Sequence, residues 1–519
     1  MAPKVASAKQ ARQIEAAADQ HGLSYARMMQ NAGAAACQLL LARVAVAEST
    51  RVLFLIGKGN NGGDGLVMAR QLAQSSEAAI HLLLIEARSA DDEVFRAATA
   101  AGLPWTVAAD SESDPALREL AGKADVIVDA LLGIGGRPPL RARLKTILTS
   151  IRNATRQTNP YVLAIDCPSG IDCDSGEIDN AALSANATIS FIAAKPGLLT
   201  FPAAAAVGEL VVSQIGIADE LDEWQRVSVT LMDAPLARSL LPARPLDGHK
   251  GTFGKAMVVA GCANYIGAAA LAGEAAYRSG AGLVTVATTR QLIDNIASSL
   301  REPTWLPLAS VDGCIAHEAA QTVLVNARAY QSLLVGCGLG LHASTQAFVR
   351  SLLDADLPPL LLDADALNSL SQLRDWWERL PANTIITPHI GEMARLTGRS
   401  TAEIAADRWS FARRYAKQWQ VVVLLKGAHT LIAAPDGQTS VIPVKTDALG
   451  TAGTGDVLAG LISGLRAQGL AAFDSARLGA YIHALAGTIA AQAVGSSRSV
   501  IATDVLTALG SAFAATEVG

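Results

Sequence analysis

A glycine-rich turn, Ala452-Gly453-Thr454-Gly455-Asp456, leads directly into an apolar segment over residues 457–465. Glycines at such a turn let backbone N–H groups crowd around an anion, and a helix that begins there adds the positive end of its dipole. Asp456 stands at the start of that helix, where a carboxylate can accept a proton from an attacking hydroxyl. The turn predicts a phosphate-handling site with Asp456 as its base, although a glycine that ends one helix and an aspartate that caps the next would give the same pattern.

Three further loops in the second half follow predicted strands. They read Gly336-Cys337-Gly338-Leu339-Gly340, Thr387-Pro388-His389-Ile390-Gly391-Glu392-Met393 and Lys426-Gly427-Ala428-His429-Thr430. Ligands of open α/β sheets gather at the carboxyl ends of the strands, so we expect these loops to converge near Asp456. The sequence contains no P-loop here, because Gly251-Thr252-Phe253-Gly254-Lys255 is followed by Ala256 and lacks the required spacing.

Short apolar runs alternate with helical patterns along the chain, which is typical of parallel α/β architecture. The two halves share no motif, and a proline-rich connection over residues 233–248 separates them, so we expect two different domains. The chain from Thr454 onward is predicted to be mainly helical. The predicted strands are 51–56, 80–85, 125–129, 161–165 and 188–192 in the first half, and 256–260, 283–288, 332–335, 359–362, 384–387 and 421–425 in the second.

Composition excludes several classes of protein. The chain has 519 residues, of which 50% are hydrophobic and 17% charged, with a net charge of −5, so neither disorder nor a basic nucleic-acid-binding surface is indicated. We find no run of 18 apolar residues and no secretory signal pattern, and we predict a cytoplasmic protein without membrane association. The six cysteines are scattered without a C-x-x-C pattern, which predicts free thiols in a reducing compartment.

In the first half, a predicted strand ending at Ile56 runs into Gly57-Lys58-Gly59-Asn60-Asn61-Gly62-Gly63-Asp64-Gly65. This loop contains G-x-G-x-x-G, and Glu86 ends the next strand, so a Rossmann dinucleotide site is one interpretation. Asp64 disfavours it, because a carboxylate beside a pyrophosphate needs an intervening cation or sugar hydroxyl. We favour a loop that binds the polar groups of a nucleotide with a cation nearby, since the paired asparagines supply carbonyl oxygens.

Two more aspartates end predicted strands in the first half. Asp129 precedes a glycine-rich segment over residues 131–138, and Asp166 opens Asp166-Cys167-Pro168-Ser169-Gly170. Together with Asp64 they would line one edge of the sheet, as an active site requires, with Asp166 as the candidate acid and base. The simple alternative is that each aspartate caps a following helix.

The second half resembles the ribokinase-like superfamily, and within it the ADP-dependent NAD(P)H-hydrate dehydratases. Besides the turn and the three loops, the resemblance rests on His249-Lys250-Gly251, Arg278-Ser279-Gly280-Ala281-Gly282-Leu283 and Asp363-Ala364-Asp365-Ala366-Leu367, and it covers about residues 241–513. It implies that ADP phosphorylates the C6 hydroxyl of hydrated NAD(P)H and that loss of phosphate restores the dihydropyridine ring, releasing AMP and phosphate. Cys337, Ile390 and Thr454 depart from the family, which usually has proline, proline and serine at these positions.

This resemblance also implies roles for individual residues. Asp456 would be the base, and Gly453, Thr454 and Gly455 would form an anion hole. ADP, with ATP as the alternative nucleotide, would contact Lys426, Gly427, Ala428, His429, Thr430 and Gly455. The hydrate would contact Ala268, Gly338, His389 and Asp456, and Mg²⁺ is a further candidate cofactor.

The first half resembles the NAD(P)H-hydrate epimerases over about residues 11–227. The match begins at Met28-Met29-Gln30-Asn31-Ala32-Gly33 and includes Lys195-Pro196-Gly197-Leu198, with Gln30 where the family usually has glutamate and Cys167 where a β-branched residue is usual. It implies interconversion of the R and S epimers at C6. Asn61, Asp129 and Ser169 would bind K⁺, although sodium or magnesium would suit the same ligands. The hydrate would contact Asn60, Asn61, Gly62, Gly63, Asp64, Gly133, Ile134, Gly135, Gly136, Arg137, Pro138, Pro139 and Asp166.

Together the two resemblances predict a two-activity repair enzyme for hydrated NADH and NADPH, and we expect it to be a homo-oligomer. Its predicted parts are a Rossmann-like three-layer α/β/α epimerase domain over 1–228, a linker and entry to the second domain over 229–248, and a ribokinase-like α/β/α dehydratase domain over 249–519. One alternative is a small-molecule kinase for a vitamin alcohol or a sugar, with an N-terminal nucleotide-binding module. Another makes the first half a non-catalytic nucleotide-binding or scaffold module.

Overall fold

The computed structural model describes residues 2–109 and 114–518, and the chain divides into two compact units, Pro3–Val229 and Thr230–Gly519. The division falls within the predicted linker, and this region is not an extended connection. It contains a strand, Val229–Leu231, and a helix, Ala234–Leu240, and Met232 and Ala237 in it are fully buried in the core of the second unit.

The first unit is built on a seven-stranded sheet in the order β3-β2-β1-β4-β5-β6-β7, with parallel pairing throughout. The strands are β1 (Arg51–Ile56), β2 (Ala79–Leu84), β3 (Trp105–Val107), β4 (Val126–Ala130), β5 (Tyr161–Ile165), β6 (Ala187–Phe191) and β7 (Glu209–Ser213). The helices are α1 (Ala8–Gln20), α2 (Tyr25–Arg43), α3 (Asn60–Ser75), α4 (Glu93–Ala100), α5 (Pro115–Lys123), α6 (Ala142–Ala154) and α7 (Asp222–Gln225).

Hydrophobic cores cover both faces of this sheet. Phe54 of β1 belongs to one core, together with Ile14 of α1 and Leu66 of α3. The next residue, Leu55, belongs to the other core, together with Ile147 of α6. Side chains alternate between the two faces of a strand, so a strand buried on both faces is apolar at nearly every position. This is the predicted three-layer α/β/α arrangement.

The second unit has a ten-stranded sheet in the order β11-β10-β9-β14-β15-β16-β17-β18-β19-β8 and a separate two-stranded sheet, β12-β13. The strands are β8 (Val229–Leu231), β9 (Lys255–Val259), β10 (Leu283–Thr289), β11 (Thr304–Leu308), β12 (Ser310–Val311), β13 (Cys314–Ile315), β14 (Ser332–Val335), β15 (Leu360–Leu362), β16 (Ile385–Ile386), β17 (Val422–Leu425), β18 (Leu431–Ala433) and β19 (Thr439–Val441). Pairing is parallel from β11 to β17 and antiparallel from β17 to β19.

The helices of the second unit pack on the central strands. A core of small and branched residues joins Val258 of β9 to Ala272, Leu461 and Leu509, which lie on three different helices. These helices are α8 (Ala234–Leu240), α9 (Ile266–Arg278), α10 (Arg290–Ile296), α11 (Ala319–Ala327), α12 (Ala343–Leu353), α13 (Asp365–Leu370), α14 (Ile390–Thr397), α15 (Thr401–Ala406), α16 (Arg408–Trp419), α17 (Thr454–Ala467), α18 (Ala472–Val494) and α19 (Ala502–Val518).

The expectation of six free thiols is wrong for two cysteines. Cys167 and Cys173 form a disulfide across six positions of sequence, because the tight turn after β5 folds the chain back and buries both side chains in one small apolar cluster. Cys37, Cys262, Cys314 and Cys337 are free. No helix in the described part of the chain is long and apolar enough to span a bilayer.

Candidate active sites

Asp166 is held at the carboxyl end of β5 by a buried lysine. Its φ of 64° turns the chain sharply after the strand, and its Oδ1 accepts a hydrogen bond of 2.6 Å from Lys195 Nζ. Lys195 Nζ also donates to Ser190 Oγ at 2.9 Å and to the carbonyl oxygen of Phe191 at 3.0 Å. The second carboxylate oxygen, Oδ2, accepts from the backbone N–H of Ile134 at 3.1 Å. Both oxygens of Asp166 are therefore fixed by donors.

Asp129 and Ser169 form a second, fully buried polar pair. Ser169 Oγ donates to Asp129 Oδ1 at 2.6 Å, and the Ser169 backbone N–H donates to Oδ2 at 2.8 Å. Burial raises the pKa of Asp129 despite these hydrogen bonds. The backbone N–H of Leu132 donates to Ser169 Oγ at 3.0 Å, which ties the pair to the loop after β4.

A cavity of about 810 Å³ opens above Asp166, and we call it the Asp166 cavity. Its acidic members differ in their surroundings. Desolvation, reinforced by the nearby charges of Asp166 and Glu15, raises the pKa of Asp64 well above its ordinary value, and burial likewise raises the pKa of Glu15. Its lining residues are Arg12, Glu15, Tyr25, Lys58, Gly59, Asn60, Asn61, Asp64, Leu131, Leu132, Gly133, Ile134, Gly135, Gly136, Asp166 and Phe191.

The structure brings most of the predicted epimerase residues to this cavity, and the helix-cap alternative for the aspartates is wrong. Asp64 lies inside α3, which begins at Asn60, and Asp129 lies inside β4, one residue before its end. Asp166 receives its hydrogen bonds from other elements. Gly62 and Gly63 are buried in the first turn of α3 instead of lining the cavity. Arg137 and Pro139 line a neighbouring cavity, and a cis peptide bond joins Pro138 to Pro139.

In the second unit, the three predicted loops follow β14, β16 and β17, and Asp363 follows the neighbouring parallel strand β15. Asp363 follows β15, and its Oδ1 accepts from Lys426 Nζ after β17 at 2.7 Å and from Thr387 Oγ1 after β16 at 2.7 Å. Lys426 Nζ also lies 3.8 Å from Glu392 Oε2. The carboxylates of Asp363 and Glu392 raise the pKa of Lys426 against the effect of its burial. These residues form a fixed charged cluster at one edge of the sheet.

Asp456 faces this cluster from the first turn of α17. Gly453 precedes the helix with a φ of 92°, a backbone conformation that a side chain would strain, so this position favours glycine. Desolvation and the charge of Asp363 raise the pKa of Asp456 to about 6. Cys337 Sγ and one carboxylate oxygen from each of Asp363 and Asp456 all lie within 4.8 Å of one another. Asp456 is the third residue of the helix region and not its cap, so the cap interpretation of the turn is wrong.

His389 and Glu392 lie together at the start of α14. His389 Nδ1 accepts from the backbone N–H groups of Gly391 and Glu392, and the His389 N–H donates to Glu392 Oε2 at 2.8 Å. Desolvation lowers the pKa of His389 and raises that of Glu392 to about 7. The imidazole is half-exposed, with Nε2 3.5 Å from Glu392 Oε1, and His389 also lines a cavity.

That cavity, of about 640 Å³, lies beside the N-terminus of α17, and we call it the α17 cavity. Its wall includes Lys426, Gly427, Ala428, Thr430, Gly453, Thr454 and Gly455, all predicted to hold the nucleotide or its phosphates. The predicted residue His429 is buried behind the loop instead, with Nδ1 at 3.1 Å from the carbonyl oxygen of Ile442 and a pKa lowered to about 4. The predicted hydrate contacts Ala268 and Gly338 are not part of this wall. They adjoin each other: a Cβ on Gly338 would lie 2.7 Å from the Cβ of Ala268.

Sequence reasoning gave no role to several of the residues that build these sites. Asp363 carries the same signal as Asp129 and Asp166, an aspartate at the end of a buried strand, and could have been found by it. Lys195 and Glu15 carried no such signal, because their proximity to Asp166 depends on how β6 and α1 pack. Arg408 was also missed; it supports the 426–430 loop by donating to the carbonyl oxygens of Ala428 at 2.8 Å and His429 at 3.3 Å.

Comparison with known proteins connects both sites to one family. The family model of NAD(P)H-hydrate dehydratase matches residues 256–509, and that of the YjeF-related protein N-terminus matches residues 25–197. The bifunctional NAD(P)H-hydrate repair enzyme of Coxiella burnetii is 37% identical over 505 residues, covering 96% of each chain. The enzyme of the same name from Escherichia coli is 36% identical over 498 residues, covering 95% of this chain and 90% of its own. The chain belongs to the family of bifunctional NAD(P)H-hydrate repair enzymes.

Members of this family combine an epimerase and a dehydratase, so the chain is an enzyme with both activities on hydrated NAD(P)H. The predicted family, its α/β fold and its function are confirmed. The matches favour this function over a vitamin or sugar kinase. Among solved structures, the ADP/ATP-dependent NAD(P)H-hydrate dehydratase of Bacillus subtilis, co-crystallized with ATP/Mg²⁺, is 32% identical with a TM-score of 0.49, covering 55% of this chain and 98% of that one.

Proposed function

We propose that Asp456 is the base of the ADP-dependent dehydratase and that Asp166 is the acid–base group of the epimerase. The observation that supports the first role is the position of Asp456, on the first turn of α17 and opposite the Asp363–Lys426 pair. With a pKa of about 6, its carboxylate is ionised at neutral pH and still basic enough to take a proton.

Dehydration would run in two steps at this position. Asp456 takes the proton of the C6 hydroxyl as that oxygen attacks the β-phosphorus of ADP, and AMP leaves. The C6–O bond then breaks to release phosphate, and a proton is lost from C5, which restores the C5=C6 double bond. Backbone N–H groups of Gly453, Thr454 and Gly455 at the positive end of the α17 dipole stabilise the negative charge on the transferred group.

The nucleotide would occupy the α17 cavity. Lys426, Gly427, Ala428, Thr430 and Gly455 line it, and His429 would take part only by shaping the loop from behind. The hydrate would enter from the side of Ala268, Gly338 and His389 and place its C6 hydroxyl against Asp456. ATP would fit the same cavity with a longer phosphate chain.

Mg²⁺ fits this site only as a companion of the nucleotide. The nearest acidic cluster consists of Asp363, Asp456 and Cys337, but Asp363 is already paired with Lys426, and a thiol is a poor ligand for a hard cation. The ion would therefore arrive bound to phosphate oxygens and help neutralise their charge.

In the first unit, Asp166, once protonated, would give its proton to the C6 oxygen as the C6–O bond breaks, while the lone pair of the ring nitrogen replaces that bond and leaves a planar ring cation. Water then adds to the other face of the cation, and the proton that it loses returns to the Asp166 carboxylate by way of solvent. Lys195 holds the carboxyl group of Asp166 in place. Burial, with the nearby charges of Asp166 and Glu15, raises the pKa of Asp64, which favours its protonated form as a hydrogen-bond donor to the hydrate. Asn60, Asn61 and residues 133–136 would surround the ring.

K⁺ fits the ligands predicted for it. Asn61, Asp129 and Ser169 would supply an amide oxygen, a carboxylate and a hydroxyl, which are hard oxygen donors. Within residues 2–109 and 114–518, the buried side-chain oxygen of Asn61 finds no hydrogen-bond partner, and an oxygen in that state is suited to a cation. A bound cation would offset the negative charge of the neighbouring carboxylates.

One experiment tests both roles. Recovery of reduced-nicotinamide absorbance is followed from an R/S mixture of hydrated NADH with ADP, with ATP and without nucleotide. We expect full recovery by the native chain, recovery that stops at the S fraction for Asp166→Asn, and no recovery for Asp456→Asn. Asp125→Asn and Asp436→Asn, on exposed surfaces of the two units, are the controls. No recovery by the native chain with either nucleotide would contradict the proposal.

The cytoplasmic location and the homo-oligomer stay predictions. Sedimentation of the purified chain measures the oligomeric state, and a fluorescent fusion measures the location.

A further inference from the structure

A second cavity lies beside the Asp166 cavity, on the other side of the loop formed by residues 131–136. Its volume is about 410 Å³, and we call it the Arg141 cavity. The two cavities share part of their walls, because Lys58, Leu131, Leu132, Gly135 and Gly136 line both of them. One elongated ligand can therefore occupy both cavities and cross the glycine-rich loop between them.

The chemistry of the Arg141 cavity differs from that of its neighbour. Its inner wall is apolar, with Ile85, Leu140 and Leu144 among its members, which suits a flat aromatic ring. Its polar lining is cationic, with Lys58, Arg137, Arg141 and Arg143, and Glu86 is the one carboxylate among the lining residues that the structure describes. Arg137 is paired outside the lining, with its Nε 3.1 Å from Asp172 Oδ2, so the cations that matter here are Lys58, Arg141 and Arg143.

Glu86 follows β2, where dinucleotide-binding folds place the carboxylate that accepts a hydrogen bond from the ribose 2′-hydroxyl. Here Lys58 Nζ lies 3.1 Å from Glu86 Oε2. Lys58, Arg143 and Arg141 all lower the pKa of Glu86, so both arginines act on it electrostatically. Because Lys58 already pairs with the Glu86 carboxylate, Glu86 is a weak acceptor for a ribose 2′-hydroxyl. Arg141 and Arg143 add positive charge around Glu86, which favours an anion beside it. A nearby arginine is what these folds use to accommodate a 2′-phosphate.

We propose that the Arg141 cavity binds the adenosine half of the epimerase substrate, and that Lys58 and Arg141 bind its 2′-phosphate, so that the epimerase prefers hydrated NADPH to hydrated NADH. The proposal rests on the proposed epimerase function, which places the hydrated ring beside Asp166. The pyrophosphate would then cross at Gly135 and Gly136, the residues that both cavities share.

The geometry favours Arg141 as the residue to change. Arg141 is exposed at the start of α6, whereas Arg143 Nη2 donates to the carbonyl oxygen of Ala108 at 2.9 Å and supports the fold. Losing one charge-assisted hydrogen bond to a phosphate lowers affinity by about tenfold. For Arg141→Ala we expect the KM for hydrated NADPH to rise about tenfold with kcat unchanged, and the KM for hydrated NADH to change by less than about twofold.

The first arm measures epimer interconversion by chromatography without ADP, so that the dehydratase is idle. The matched control is Arg156→Ala, an exposed arginine just beyond the other end of α6. Glu86→Gln gives the opposite sign: because it removes the only competing carboxylate of the cavity lining in the described chain, the KM for hydrated NADPH should fall. Equal KM values for the two hydrates in the native enzyme, or parallel changes for both in Arg141→Ala, would overturn the proposal.

The second arm needs no turnover. Calorimetric titration with adenosine 2′,5′-bisphosphate is carried out on the full chain, and a parallel titration with adenosine 5′-monophosphate, which lacks the 2′-phosphate, accounts for binding at the dehydratase. We expect binding by the native chain and by Arg156→Ala, and about tenfold weaker binding by Arg141→Ala. If the bisphosphate binds in this way but neither hydrate is epimerised, the proposed epimerase fails and the anion site stands. If both hydrates are epimerised but the bisphosphate binds Arg141→Ala as it binds the native chain, the anion site fails alone.

Discussion

Replacing Lys195 with alanine tests a deeply buried charged contact in the first unit. The Lys195 side chain is 2% exposed and that of Asp166 is 12% exposed, and their atoms are 2.6 Å apart. The change removes the ammonium group but leaves the Asp166 carboxylate, Ser190 Oγ and the Phe191 carbonyl oxygen without its three hydrogen bonds. Breaking a buried ion pair from one side costs about 3–5 kcal/mol, because the remaining charge is uncompensated.

The expected thermal shift follows from the size of the unit. A loss of about 3–5 kcal/mol in a domain of this length lowers the melting temperature by about 2–4 °C per kcal/mol, which amounts to about 6–20 °C. Scanning calorimetry measures this fall in melting temperature. Added ADP raises the melting temperature of the second unit, which identifies the transition of the first unit. The matched control is Lys145→Ala: Lys145 lies 3.5 Å from Asp179 with its side chain 44% exposed, and its loss should cost about 0–1 kcal/mol.

A double variant separates the ion pair from packing. Lys195→Met combined with Asp166→Asn keeps most of the volume and removes both charges, so we expect it to recover much of the lost stability while epimerisation stays absent. A free-energy loss below about 1 kcal/mol for Lys195→Ala, equal to that of Lys145→Ala, would refute the argument that a buried lysine holds Asp166.

Three further predictions concern single side chains. The kcat of dehydration should rise with pH and reach half its maximum near pH 6, because Asp456 with its pKa of about 6 must be ionised; a profile flat from pH 5 to 8 would remove Asp456 from that role. Asp64→Asn should stabilise the first unit increasingly as pH rises above about 4. The folded pKa of Asp64 is raised, so the native protein loses stability as pH rises from the unfolded pKa through the folded one, and asparagine removes that loss. Calorimetry at pH 4 and pH 8 measures the effect, and an equal effect at both values would contradict the prediction. Gly133→Ala would place a methyl group 2.9 Å from Asp166 Oδ2 and should reduce epimerisation about tenfold or more with dehydration unchanged. The control is Gly122→Ala, whose methyl group would lie 3.6 Å from the carbonyl oxygen of Ala154 and outside both cavities of the first unit.

The central strands were predictable because parallel strands covered on both faces are apolar at nearly every position. β1, β5 and β14 have the predicted bounds, and the other predicted strands differ by one residue at one or both ends. The short outer strands were not predicted. Trp105 and Val107 of β3 are exposed, and β7 is only half-buried, so these strands lack the continuous apolar run on which the prediction depended.

The residues of the candidate sites also fall into a group that the local sequence marks and a group that it does not. Glycine-rich turns and aspartates at strand ends mark backbone geometry that the local sequence fixes, and so they were visible. Lys195, Glu15 and Arg408 act through side chains that cross from other elements, and a single sequence does not show which of its charged residues become buried. The Cys167–Cys173 disulfide was not predicted for a related reason, since it depends on the turn that brings the two cysteines together.

The position of β8 sets where the second unit can be cut from the chain. This strand lies at the end of the ten-stranded sheet beside β19, and the N–H of Met232, just after it, donates to the carbonyl oxygen of Val441 at 3.0 Å. A fragment beginning at residue 249, the boundary that motifs alone would choose, would leave the β19 backbone uncovered and ready to pair with another molecule. A dehydratase fragment that stays in solution should therefore start before Val229 and carry β8 and α8 with it.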